Sequence, residues 1–165
     1  MKFDELDLFM LMDASDIEYS NISEDMLVKL ALCDELYIAN YALAELSARD
    51  SNQASVVAWQ ILSTLKGDYY LQAAALSVLF DTDKGKVLDY INKQVQHFDL
   101  FMLNEVMQLM VEKFSDFATQ NTSKIVSIIF NKLKKLDDKQ GLIDKEVKDN
   151  FFSLYSIAKM TVADV

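Results

Sequence analysis

The sequence predicts an all-α protein, and three observations carry that expectation. Proline is absent from the 165 residues, and proline is the residue that breaks helix interiors, by removing a donor and clashing with the preceding turn. Only three glycines occur, Gly67, Gly85 and Gly141, which suits long helices with short joints and is poor in turn residues for a sandwich of short strands. Apolar residues recur at helical spacing almost throughout, while alternating strand-like runs are weak.

The elements follow in order. Phe3 to Met12 mixes apolar and acidic residues in a first short segment, and Asp13 to Asn21 reads as a polar loop. Ser23 is placed to cap the next helix, with Glu24 and Asp25 in the first turn, where the helix dipole favours negative charge. Leu36, Ala39, Leu43 and Leu46 fall at i, i+3, i+7 and i+10, one face of a helix, and Arg49 to Asn52 makes the joint after it. Val57, Ile61 and Leu65 mark a further helix, for which Gly67 is the expected stop. Asp68 caps a helix carrying Leu71, Ala75, Val78 and Leu79. Asp81-Thr82-Asp83-Lys84-Gly85 reads as the next turn, ahead of Val87, Leu88, Ile91 and Val95. Asp99 caps a helix with Leu103, Val106, Met110 and Phe114 on one face. Asn121-Thr122-Ser123 opens the helix of Ile125, Ile128, Ile129, Leu133 and Leu136. The last helix runs from Leu142 to Lys159, with Val147, Phe151, Leu154 and Ala158 on its core side. The pattern gives about seven to nine helices.

A repeat underlies this order. Leu36, Leu43 and Leu46 map by a shift of 33 onto Tyr69, Leu76 and Leu79. A shift of 31 takes Leu71, Ala75 and Leu79 onto Met102, Val106 and Met110, and Val56, Val57 and Trp59 onto Val87, Leu88 and Tyr90. Helical hairpins of this period signal an α-solenoid, because a lone hairpin cannot cover its apolar face and stacking buries a continuous core. The alternative is an irregular bundle of helices of similar length. On the stacked reading residues 1–165 form one helical-repeat domain. Residues 1–32 are its acidic N-terminal helices and loop, 33–136 its hairpin repeats, and 137–165 its C-terminal cap.

Charge narrows the function. The net charge is −10, and it is concentrated: residues 1–50 carry twelve acids against three bases, a net of −9. Such a surface repels nucleic acid and anionic membrane and attracts basic protein. One cysteine, Cys33, forms no internal disulfide and favours a reducing compartment. The acidic start Met1-Lys2-Phe3-Asp4-Glu5 is wrong for a secretory leader, and the apolar run Leu8 to Met12 is too short for a membrane span. A cytoplasmic location is expected.

A search for chemistry yields none. The single His97 excludes multi-histidine metal sites, and a pairing of Cys33 with His97 has nothing local to prepare either group. The simpler expectation is a buried Cys33 within a helix and a surface His97 at a helix end. Asp81 to Gly85 faintly resembles a calcium loop, but Lys86 stands where the loop needs glycine and Asn92 where it needs a bidentate glutamate. Phosphate-binding glycine motifs are missing. Lys132, Lys134 and Lys135 sit where the dipole favours cations at a helix C-terminus. Neither catalysis nor a cofactor nor a bound metal is expected.

Alternating helices, the small-residue run Ala73-Ala74-Ala75 and the capping residues Asp68 and Asp99 give the stretch from Cys33 to Leu136 a pattern that resembles a short HEAT-like repeat protein. Small acidic helical-repeat chains of this kind are similar to bacterial immunity proteins, including those of contact-dependent growth inhibition systems. The resemblance implies a non-catalytic protein that binds and neutralises a toxin domain. Toxin nucleases are commonly basic because they bind phosphate, so an acidic inhibitor gains both steering and complementarity. The candidate contacts are Asp13, Asp16, Glu18, Glu24, Asp25, Asp34 and Glu35, with Tyr19 and Tyr37 beside them, since tyrosine adds contact area at small entropic cost. Two alternatives stay open: a scaffold or adaptor subunit of a larger assembly, and an acidic surface that only keeps the chain soluble. The oligomeric state is not legible.

Overall fold

The computed structural model describes residues 4–119 and 122–160, with side chains through Tyr155. Within them the regular structure is all helical, with no strand. There are ten α-helices: α1 Glu5–Met10, α2 Glu24–Ala31, α3 Leu36–Ala48, α4 Asn52–Thr64, α5 Tyr69–Thr82, α6 Lys84–Gln94, α7 Leu100–Glu112, α8 Phe114–Phe117, α9 Ser123–Lys135 and α10 Lys145–Met160. Two single 3-10 turns, Ala14–Asp16 and Tyr19–Asn21, lie inside the segment expected as loop. Phe3, Asn121 and the side chain of Ala158 lie outside what is described. No described helix is long and apolar enough to cross a membrane.

The caps form where short polar side chains stand at the expected places. The Asp68 carboxylate accepts the Leu71 N–H at 2.9 Å, the Asp99 carboxylate accepts that of Met102 at 2.8 Å, and Ser23 caps α2 more loosely, through Met26 N–H at 3.4 Å. Each satisfies one of the amides that a helix start leaves unpaired.

Several boundaries differ from expectation for identifiable reasons. Helix α4 ends before Gly67. Leu65 adopts the left-handed conformation (φ 52°, ψ 39°), and the Lys66 N–H closes on the Ile61 carbonyl at 2.9 Å, the bond that completes a Schellman stop. Leu65 is therefore 55% exposed, not on the core face. The turn at Asp81 to Gly85 contracts to Asp83, whose carboxylate accepts the Lys86 N–H at 3.1 Å and so lets α6 begin at once. Phe114 leaves the face of α7 because the backbone turns at Lys113 (φ −105°, ψ 31°), and it opens α8. Helix α10 starts at Lys145, not Leu142: the Asp138 carboxylate accepts the N–H groups of Leu142 and Ile143 at 2.7 and 3.0 Å and holds them in a turn, the local competition with helix that Asp is suited to. Counting α8 separately is one reason the helices number ten and not seven to nine.

The chain divides into two compact units, Met1–Val87 and Leu88–Val165. In the first, each helix from α1 to α4 packs on the next. Helix α2 also meets α4, and α3 meets α5. Leu27, Leu30, Leu43, Leu46, Ile61, Leu62, Leu71 and Leu76 fill the core, each worth about 1.5–3 kcal/mol of burial. Buried Ala39, Ala42, Ala54, Ala58 and Ala75 let the backbones approach closely. In the second unit α7 packs chiefly on α10, which also meets α9. Asn104 accepts the Asp144 N–H at 2.8 Å at the head of α10, and the buried Tyr155 hydroxyl donates to the Met110 carbonyl at 2.7 Å further along. Phe114 and Phe151 pack on the Tyr155 ring at 5.2 and 5.0 Å.

Burial agrees with part of the spacing expected from a repeat and departs from it in one place. Leu71, Ala75 and Leu79 and their equivalents Met102, Val106 and Met110 are all buried, as the shift of 31 requires. Val56 is 58% exposed whereas Val87 is fully buried, so the expected match of Val56 with Val87 fails, and the buried residues Val57 and Ile61 of α4 correspond to Val87 and Ile91 of α6 only at a spacing of 30.

Candidate functional site

Helix α3 is apolar nearly all round, and an apolar helix of that kind is ordinarily buried on every side. Here only one side is. Ile38, Ala39, Ala42, Leu43 and Leu46 face the core, while Tyr37 is 77% and Tyr41 50% exposed. Residues 37, 41 and 44 lie at i, i+4 and i+7, so they form one outward stripe.

That stripe is one wall of a groove. Tyr37, Asn40, Tyr41 and Ala44 of α3, with Leu36 at its head, face Asp68 and Tyr70 at the start of α5 around a volume of about 570 Å³. Tyr70 is 64% exposed. The groove thus exists because α3 packs on α5, which brings two stretches of sequence together at their helix starts. Gly67 makes the approach possible: a Cβ there would stand 2.8 Å from Leu71 Cδ2 and 3.1 Å from Leu36 Cδ2.

A strap made of residues 13–22 runs beside α3 and sets Tyr41. The Tyr19 ring stacks on Tyr41 with centroids 5.5 Å apart and planes 27° off parallel. The Tyr19 hydroxyl donates to the Ala14 carbonyl at 3.1 Å, and burial pushes its pKa up to about 12, the nearby Cys33 and Tyr41 adding to the rise. At the far end Arg49, the single arginine of the chain, clamps the strap. Its guanidinium donates to the carbonyls of Tyr19, Ser20 and Ile22 at 2.9, 3.0 and 2.9 Å, and pairs with Glu45 at 2.7 Å.

All seven candidate carboxylates are exposed, but the fold separates them. Asp34 and Glu35 directly precede Leu36 and Tyr37 in the chain, just ahead of the residues that line the groove. Asp34 is paired with Lys66 at 2.9 Å, which holds its carboxyl below the usual carboxylate range. Glu35 makes no capping bond to α3. Asp13 caps and Asp16 ends the 3-10 turn to which Tyr19 is bonded. Two bonds from Ser15 hold the Asp13 carboxyl low, the backbone N–H first and the hydroxyl second. Glu24 and Asp25 open α2, next to the strap end that Arg49 holds. That is the C-terminal end of α3, whose thirteen residues span about 20 Å. Charges that far apart act almost independently when the screening length is about 8 Å. Glu18 is occupied by Asn21 at 2.6 Å within the strap.

Of the tyrosines expected as contacts, Tyr37 lines the groove and Tyr19 stands behind Tyr41 as its support. Tyr41 and Tyr70 were not among them, although the sequence carries a signal for both. Tyr41 is one helical turn from Tyr37, and the shift of 33 noted in the sequence carries Tyr37 onto Tyr70.

The other reactive groups have separate surroundings. Cys33 is buried in the joint between α2 and α3, not in a helix; its thiol donates to the Glu35 carbonyl at 3.5 Å, and burial raises its pKa. His97 is exposed just after α6. Lys132 donates to the Gln96 carbonyl at 2.7 Å, and Lys134 lies 4.0 Å from the Phe130 ring centre. Among the described residues no three His, Cys, Asp or Glu side chains gather as a metal site would need. The chain matches no protein-family model, no curated protein and no solved structure.

Proposed function

We propose that this chain is a non-catalytic protein-binding module, and that it seats a basic segment of its partner on the tyrosine groove of α3 and α5. The observation that carries the reading is the groove itself. Three exposed tyrosines converge on it, in a unit whose fifteen acids outweigh six bases by a net of −9. Exposed tyrosine is the residue type enriched at interface hot spots, and unit-wide negative charge steers a basic partner toward it. The pairing of α2 with α4 and of α3 with α5 supports the stacked-hairpin reading of this unit, since each helix then meets the equivalent helix of the next hairpin.

The resemblance to immunity proteins makes that partner a bacterial toxin domain with a basic, phosphate-binding surface, neutralised by covering its active site or a neighbouring surface. The stacked helices equally suit a scaffold or adaptor subunit. If a neighbouring gene encodes a toxin domain, co-expression with it separates the two: an immunity protein restores growth, an adaptor does not. On the proposed reading the Tyr37→Ala, Tyr70→Ala double variant loses rescue and binds the inactivated toxin domain at least about 30-fold more weakly, as two interface anchors of 1 kcal/mol or more each would require. Unchanged binding by that folded variant would remove the groove from the interface.

A further inference from the structure

Building on the docking reading, we propose that the groove discriminates between cations and takes arginine in preference to lysine. The guanidinium groups of an extended segment would lie against the ring faces of Tyr37 and Tyr41. The local charges do not by themselves make this choice. Asp68 lines the groove and Asp34 and Glu35 directly precede its wall in the chain; Lys66 cancels the charge of Asp34, and the starts of α3 and α5 each contribute about half a positive charge. The remainder is about one negative charge in open solvent. It excludes an acidic segment and attracts arginine and lysine alike.

The rings decide. A guanidinium is planar and weakly hydrated, so it stacks on an aromatic face at little desolvation cost, whereas an ammonium is a compact and strongly hydrated point charge. The groove offers one such face already in place, and Tyr37 adds a second, exposed one. Tyr41 is backed by Tyr19 at 5.5 Å, Tyr19 is fixed through its hydroxyl to Ala14, and Arg49 pins the strap that carries it. A preset ring such as Tyr41 needs little ordering on binding. Tyr37 stands one turn from Tyr41, and Glu35, with no capping bond to make, leaves a carboxylate for the guanidinium donors. Tyr19 is a positioning residue here and Tyr37 and Tyr41 are the contacts.

The test uses the full chain and two blocked peptides that differ only in carrying two arginines or two lysines between glycines, titrated by calorimetry at physiological ionic strength. The arginine peptide is expected to bind about fivefold more tightly, the difference that stacking on two exposed rings supports. Tyr37→Leu with Tyr41→Leu should bring the two peptides to equal affinity, Tyr37→Phe should keep the preference, and Glu35→Gln should weaken both peptides by the same factor. Equal affinity of the two peptides for the unaltered chain would overturn arginine selection while leaving the docking groove in place. A preference that survives loss of both rings would overturn it too. No binding of either peptide at millimolar concentration would also overturn it, and the docking reading would still stand or fall on the partner assay with Tyr37→Ala and Tyr70→Ala.

Discussion

Replacing Gly67 by alanine perturbs the joint on which the groove is built. Gly67 has φ +73°, a left-handed conformation that costs an alanine about 1–2 kcal/mol. The new Cβ would also stand 2.8 Å from Leu71 Cδ2 and 3.1 Å from Leu36 Cδ2. Leu71 is fully buried and cannot swing away without disturbing the core, so overpacking adds about 1–3 kcal/mol. The total is roughly 2–5 kcal/mol. Two other glycines supply internal controls. Gly141 has φ +65° but nothing within 4 Å of an added Cβ, so Gly141→Ala should cost only the backbone part, about 1–2 kcal/mol. Gly85 lies inside α6 with its nearest neighbour 3.6 Å away, so Gly85→Ala should stabilise by about 0.5–1 kcal/mol. Urea unfolding followed by far-UV circular dichroism, with fluorescence of the single Trp59 reporting on the first unit, gives the order. Gly85→Ala should be the most stable, then the unaltered chain, Gly141→Ala and Gly67→Ala. If Gly67→Ala were no worse than Gly141→Ala, Leu36 and Leu71 would not be packed against the joint.

Three further outcomes follow from the same contacts. Leu65 is left-handed and half exposed, so Leu65→Gly should raise stability by about 1 kcal/mol, seen as a higher urea midpoint; a lower midpoint would contradict the stop assigned to α4. Arg49→Lys removes a fork that reaches three carbonyls at once, and hydrogen exchange should show the Asn21 and Ile22 amides opening at least about tenfold faster, since charged hydrogen bonds are worth about 1.5–3 kcal/mol. The Tyr19 hydroxyl has its pKa raised from 10 to about 12 in the fold. Its contribution to stability is therefore complete below pH 10 and is lost as pH rises from 10 towards 12. Tyr19→Phe should flatten that alkaline decline relative to the unaltered chain, and an identical decline in both would refute the assignment.

What could be read in the sequence was local. The caps Ser23, Asp68 and Asp99 were legible because each needs only its own side chain and an amide three residues on. The core faces of α3, α5 and α7 were legible because helical periodicity is a property of a single segment. Leu65 misled because its spacing fits α4, while its conformation depends on where the Lys66 N–H finds a carbonyl. Arg49 looked like part of a joint, and the carbonyls it holds lie 27 to 30 residues away. The acids of the first fifty residues were visible as a composition. Their division between the two ends of α3 depends on how α2 packs on α3. Tyr37 was named with Asp34 and Glu35 by sequence proximity alone, and its partner Tyr70 comes from α5, across the packing of α3 on α5.

The most direct test of the tyrosine groove is nuclear magnetic resonance of the full chain, with tyrosine rings labelled, titrated with the arginine peptide. The ring signals of Tyr37, Tyr41 and Tyr70 should shift together along one binding curve, with Tyr19 following through its stack on Tyr41. Shifts confined to the amides of Glu24 and Asp25, with the four rings unmoved, would place the basic ligand at the other end of α3 and contradict the groove as the docking site.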